Sequence, residues 1–203
     1  MHVVKLGGSL LKAPHQLRAW LRTIATTGGG RVVIVPGGGP FADAVRRAQG
    51  EYGFDDRAAH RMALLAMEQC GLALASIERS LVPSDTFAGL RRVLREGRIP
   101  VWMPHRSAAD ADDVPANWNV TSDSLAAWLA RELDASSLWL VKSCAVPVQT
   151  PERLAAMGIV DFAFPKFCER VPFAVHVVGI DDRPRLVASL LEETVNAVPT
   201  AAS

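Results

Sequence analysis

Short β-branched runs that stop at glycine alternate along this chain with stretches whose apolar residues recur every three or four positions. Val3-Val4-Lys5-Leu6 ends at Gly7-Gly8, and Val32-Val33-Ile34-Val35 ends at Pro36-Gly37-Gly38-Gly39. Between them Pro14 opens a helical pattern, Leu17, Trp20, Leu21 and Ile24, that Gly28-Gly29-Gly30 closes. The near-continuous apolar character of residues 31–35 is that of a strand covered on both faces. A helix is expected over 41–49 and a turn over 50–54. A long helix then begins at Asp55-Asp56, carries Met62, Leu65, Cys70, Leu72 and Leu74, and ends near Ser80.

The second half continues the alternation. Asp85 and Thr86 introduce an amphipathic helix over 87–96, with Arg91, Arg92, Arg95 and Arg98 as its solvated face, before a strand over 99–102. Residues 104–118 turn to Ala, Asp and Pro, a loop long enough to be functional. A helix opens at Asn119-Val120-Thr121-Ser122-Asp123-Ser124 and runs to about Leu133. A strand over 138–141, a short helix after Thr150, a strand over 174–178, a helix over 183–193 and a frayed tail follow. Strands alternating with helices predict an α/β domain with a largely parallel sheet.

Composition narrows this further. With 203 residues, 49% hydrophobic and 21% charged, the chain suits one well-buried domain. Its 22 basic residues against 21 acidic ones give a net charge of +1, so bulk attraction to nucleic acid or to membranes is not expected. Cys70, Cys144 and Cys168 are widely spaced and lack metal-ligand spacing, which reads as reduced core thiols in a cytoplasmic protein. No leader and no membrane-spanning run are expected.

The glycine stretches carry the candidate chemistry. A strand that ends in Gly-Gly and enters a helix leaves backbone N–H groups at the positive end of the helix dipole, a natural site for phosphate, and Lys5 adds a full charge. The bland alternative is that glycine serves tight strand-to-helix turns and Lys5 is a solvated strand end. Neither stretch is a Walker A loop or a dinucleotide-binding Gly-x-Gly-x-x-Gly, which argues against a dehydrogenase. Two copies on adjacent parallel strands would line one edge of the sheet.

Three ordered motifs, Lys5-Leu6-Gly7-Gly8-Ser9, Pro36-Gly37-Gly38-Gly39-Pro40 and Thr121-Ser122-Asp123-Ser124-Leu125-Ala126, resemble the amino acid kinase superfamily. Asp55-Asp56, the run from His60 to Gln69, and Trp118-Asn119-Val120-Thr121-Ser122-Asp123 are most similar to its (aminomethyl)furanylmethyl phosphate kinases of methanofuran-type cofactor synthesis. The resemblance implies a three-layer α/β/α sandwich. It further implies an acceptor part over 1–135, a shortened nucleotide part over 136–203, ATP and Mg²⁺ as cofactors, a small-molecule substrate and a homo-oligomer. The product would carry a diphosphate.

By the same resemblance, Lys5 contacts the transferred phosphoryl group, Gly7, Gly8 and Ser9 cradle the nucleotide, and Gly37, Gly38 and Gly39 hold the acceptor side. Asp123 orients the catalytic lysines, although a carboxylate in a first helical turn is also stabilised by about 0.3–1 kcal/mol with no catalytic role. His60, Asn119, Thr121 and Ser122 become acceptor-site groups, the last three being equally good helix caps. The chain departs from the family after its nucleotide-side strand, reading Val141-Lys142-Ser143-Cys144. Lys166, following Asp161, is then the candidate second phosphate lysine, with Lys142 as its rival. A non-catalytic binding or assembly subunit of the same fold is the alternative reading.

Overall fold

The structure, a computed structural model, describes residues 1–196; the tail expected to fray lies outside the described residues except for its first positions, which extend the last helix. Six strands, β1 (His2–Leu6), β2 (Val32–Pro36), β3 (Leu81–Ser84), β4 (Ile99–Trp102), β5 (Ser137–Lys142) and β6 (Ala174–Gly179), form one sheet in the order β3-β4-β2-β1-β5-β6. Every pairing is parallel. The helices are α1 (Pro14–Thr27), α2 (Gly39–Tyr52), α3 (Asp56–Ile77), α4 (Phe87–Arg95), α5 (His105–Ala108), α6 (Ser122–Glu132), α7 (Pro151–Ala156), α8 (Phe164–Phe167) and α9 (Arg183–Asn196).

Because side chains alternate along a strand, each strand feeds two cores. Val3 and Val33, with Leu138 and Leu140, pack under α6, whereas Val4, Leu6 and Ile34, with Trp139 and Val141, pack against α1 and α9. The result is the expected α/β/α sandwich. The central strands β1 and β2 are wholly buried, which explains their unbroken apolar runs.

Local differences from the sequence reading have simple causes. Strand β3 was not anticipated: it is four residues long, contains Pro83 and sits at the sheet edge, the place where a missing N–H is tolerated. Helix α2 starts at Gly39 and continues through Gly50 to Tyr52, where Gly53 caps it in the left-handed region at φ 70°. In α3 the buried stripe is His60, Leu64, Met67, Gly71 and Leu74, while Met62, Leu65 and Leu72 are exposed; apolar residues surround this helix, so spacing alone did not select the face. The 104–118 loop contains α5. Cys70 is buried, but Cys144 lies exposed in the loop after β5 and is not a core thiol.

The two glycine loops leave adjacent strand ends and touch. A Cβ on Gly8 would lie 2.2 Å from the Gly39 nitrogen, and one on Gly37 would lie 2.3 Å from the Gly8 nitrogen. These glycines are therefore required first by backbone-to-backbone approach. Gly8→Ala and Gly37→Ala are each expected to lower stability by about 1–3 kcal/mol through forced separation of the loops. Gly50→Ala, with nothing within 4 Å of its added methyl, should raise stability by about 0.5–1 kcal/mol. Urea unfolding of the three variants checks both signs.

Candidate functional site

Strand parity places the charged residues. Lys5 follows Val3 on the α6 face of β1, and Lys142 follows Leu138 and Leu140 on the same face of β5, with Lys5 opposite Leu140 in the register. Asp123, in the first turn of α6, enters between them. Its Oδ1 accepts from Lys5 Nζ at 2.7 Å and its Oδ2 from Lys142 Nζ at 2.6 Å. The Lys5 and Asp123 side chains are each 5% exposed and that of Lys142 is 12% exposed.

Burial alone would raise the Asp123 pKa, but the two ammonium groups outweigh it and hold the carboxyl down to about 2. Burial, reinforced by the Lys5 charge, pulls Lys142 down to about 8 despite the attraction of Asp123. Two buried ammonium groups share one carboxylate, so the cluster keeps a positive charge that favours an anion.

Asp161 fixes the start of α6. Its Oδ2 accepts from the Thr121 N–H at 2.9 Å, the Thr121 hydroxyl at 2.8 Å and the Ser124 N–H at 3.0 Å; its Oδ1 accepts from the Ser124 hydroxyl and from the Phe164 N–H at 3.0 Å. Thr121 occupies the N-cap position without a side-chain cap bond, so the cap is supplied from a remote turn. The Asp161 N–H also donates to Asp123 Oδ2 at 3.3 Å.

Beside this cluster lies a cavity of about 230 Å³. Gly8, Ser9, Gly38 and Gly39 line it from the glycine loops, His60, Leu64 and Met67 from α3, Asp43 and Arg46 from α2, and Trp118 from the loop before α6. His60 is 6% exposed, and its Nε2 has no hydrogen-bond partner. Burial lowers its pKa, against a backbone hydrogen bond at Ala108. The Arg46 guanidinium sits 4.4 Å from the Trp118 ring centroid, and Trp118 Nε1 donates to Gln49 Oε1.

The structure thus brings together Lys5, Lys142 and Asp123, and separately lines one cavity with Gly8, Ser9, Gly38, Gly39, His60, Thr121 and Ser122. Other expected site residues are engaged elsewhere. The Gly7 N–H donates to the Val141 carbonyl at 3.2 Å and the Gly37 N–H to the Leu6 carbonyl at 2.9 Å, continuing the sheet, so neither amide is available to cradle an anion. Asn119 is exposed and does not line the cavity; its carbonyl accepts from the Ala163 N–H at 3.0 Å. Asp161 is committed to α6 and to Phe164. Lys166 is exposed on α8 and lines a different cleft with Asp113 and Arg131, because α8 carries it off the Asp161 turn. Lys12, Asp43 and Arg46 were missed; starting α2 at Gly39 would have put Asp43 and Arg46 one helical step apart on the glycine-loop side.

No helix among the described residues is long and apolar enough to cross a membrane, and no group of three or more His, Cys, Asp or Glu among them is arranged to hold a metal ion.

Fold and site define an α/β sandwich protein with an anion-seeking cleft at the carboxyl ends of its strands. The chain belongs to the amino acid kinase family, which it matches over residues 1–145. Over 134 residues it is 31% identical to a (5-(aminomethyl)furan-3-yl)methyl phosphate kinase of Methanocaldococcus jannaschii, a match covering 66% of this chain and 62% of that relative. Among solved structures, uridylate kinase from Archaeoglobus fulgidus superposes with a TM-score of 0.70 at 18% identity, covering 94% of this chain and 95% of that one. UMP kinase from Bacillus anthracis does so at 0.69 and 16%, covering 94% and 91%. These two likenesses establish the fold.

Removing the shared carboxylate should expose its structural weight. Asp123→Asn leaves two buried ammonium groups facing each other and is expected to cost about 3–5 kcal/mol, read as a lower urea midpoint at pH 7. An unchanged midpoint would show that the lysines relax into solvent instead.

Proposed function

We propose that the protein is an ATP-dependent kinase that transfers the γ-phosphoryl group to a small phosphomonoester, an (aminomethyl)furanylmethyl phosphate of methanofuran-type cofactor biosynthesis or a close analogue. The observation that carries this reading is the buried Lys5–Asp123–Lys142 cluster directly behind two glycine loops in contact. Identity to the M. jannaschii kinase supports the choice of acceptor.

Phosphoryl transfer asks the protein for positioning and charge neutralisation more than for covalent chemistry. Lys5 and Lys142 flank the transferred group and neutralise its oxygens as the bond to the leaving nucleotide weakens. The Gly8 and Ser9 amides face the donor; Gly38, Gly39 and His60 face the acceptor. Ser143, whose hydroxyl donates to Ser9 Oγ at 2.9 Å, extends the donor side toward the loop after β5.

An attacking phosphate oxygen is already an anion and needs no general base, whereas a hydroxyl acceptor does. Asp123, held near 2 and engaged by both lysines, is not such a base. Mg²⁺, when bound with the nucleotide, would supply further neutralisation of the donor phosphates. Asp123 is already committed, so the protein's part is to orient lysines around those phosphates rather than to cage the ion.

The second reading, a non-catalytic binding or assembly subunit, draws on the family match ending at residue 145, before most of the nucleotide part. ADP release with ATP, Mg²⁺ and a panel of phosphomonoesters, carboxylates and nucleoside monophosphates separates the two. Turnover with a phosphomonoester is expected, and its absence across the whole panel sinks the kinase reading. Lys5→Ala and Lys142→Ala should each reduce kcat by about 10²–10³, as for loss of a charge-stabilising donor, with Lys166→Ala within twofold of wild type. A Lys166→Ala loss matching that of Lys142→Ala would reverse the assignment of the second lysine.

The pH dependence follows from the lowered Lys142 pKa. Below about 8 its ammonium is present; above it the charge is lost, so kcat/KM should fall as pH rises through about 8. Lys142→Arg, which keeps its charge, should lack that alkaline limb. A limb that persists in this variant assigns the titration to another group.

A further inference from the structure

The cavity that holds the acceptor in the kinase reading is electrically lopsided, and one residue accounts for it. Among its lining residues are the cations Lys12 and Arg46, His60 with its Nε2 unpartnered, and a single carboxylate, Asp43. Asp43 is exposed and has no hydrogen bond or ion pair among the described residues. This is unexpected from its position, because Arg46 and Arg47 stand three and four residues further along α2, the spacings at which opposite charges pair on a helix. Arg46 is instead held over Trp118 at 4.4 Å, and Trp118 is anchored to Gln49, which in turn donates to Asp56 Oδ1 at 2.9 Å and to the Phe54 carbonyl at 3.2 Å. The aromatic anchor takes Arg46, Arg47 forms no ion pair with Asp43, and the carboxylate stays open to the cavity.

A bare carboxylate in a site built for phosphate is otherwise counterproductive. It repels an acceptor that is anionic throughout and attracts one that carries a cation at that end. Asp43 lies four residues beyond Gly39, at about 1.5 Å per residue, so roughly 6 Å of helix separates it from the glycine amides. A cavity of about 230 Å³ lined by both Asp43 and the glycine loops suits a compact acceptor, one small ring with a charged group on each side.

We propose that Asp43 is the specificity-determining residue of the acceptor site and pairs with an ammonium group at the end of the acceptor remote from its phosphate. This rests on the kinase reading and adds a selection rule to it: phosphomonoesters lacking the cation are rejected by Asp43 itself.

The test compares (5-(aminomethyl)furan-3-yl)methyl phosphate with its 5-methyl counterpart, which lacks the amine, as acceptors for wild type, Asp43→Asn and Asp43→Glu. Wild type is expected to prefer the amine in kcat/KM by about 10–100-fold, chiefly through KM. In Asp43→Asn the preference should collapse toward unity, and in Asp43→Glu it should largely return. Equal use of both acceptors by wild type, or an unaltered preference in Asp43→Asn, overturns the assignment while the kinase reading stands. Turnover of neither acceptor by wild type overturns the assignment together with the furan acceptor. Thermal melting of each variant identifies a general loss of fold, which would lower both acceptors alike and leave the preference intact.

Discussion

One carboxylate shared by two lysines is the constraint on which the rest of this molecule turns. Lys5 on β1 and Lys142 on β5 project from adjacent strands to the same face, where two unneutralised ammonium groups would repel in a low-dielectric setting. Asp123 reaches both, one oxygen to each, and so joins two strands to the start of α6. Its own placement depends on Asp161, which satisfies the orphan donors at that helix end from a distant turn. Buried ion pairs of this kind add little net stability over apolar packing. The uncompensated positive charge that remains is of use only when an anion arrives.

The second constraint is steric. Gly8 packs against Gly37 and Gly39 so closely that no side chain fits at Gly8 or Gly37. This contact brings the segments that follow β1 and β2 side by side, and Gly8, Ser9, Gly38 and Gly39 of the two line one cavity. Cationic cluster and glycine contact are complementary, since the first supplies charge and the second supplies short-range donors that cost no side-chain ordering. On the kinase reading, a donor and an acceptor phosphate are both anions, and bringing them together requires both devices.

Much of this was legible in the sequence because it is local. Strand runs ending at glycine, the Pro14 helix start and the cap residues Asp55, Thr86 and Thr150 all follow from neighbouring residues. What escaped was tertiary. The occupation of the Gly7 and Gly37 amides by Val141 and Leu6 depends on which strands neighbour β1, and a sequence cannot show that a loop glycine still belongs to the sheet. On paper Lys166 stood ahead of its rival Lys142 as the second phosphate lysine. Register and strand parity bring Lys142 to Asp123, whereas α8 carries Lys166 to another cleft. The true buried face of α3 was hidden because apolar residues occur on every side of it.

The polarity of the cavity bears on turnover as well as on recognition. On the kinase reading, a product with a diphosphate carries more negative charge than its acceptor, so a site that met the phosphate only with full cations would hold the product too tightly. His60 lines the cavity, and burial lowers its pKa, favouring the neutral ring at physiological pH. A neutral imidazole can still donate one hydrogen bond, as the glycine amides do, without adding a full charge. On the kinase reading, the charge of Lys5 and Lys142 sits beside the bond being exchanged, where it lowers the barrier more than it stabilises the bound product.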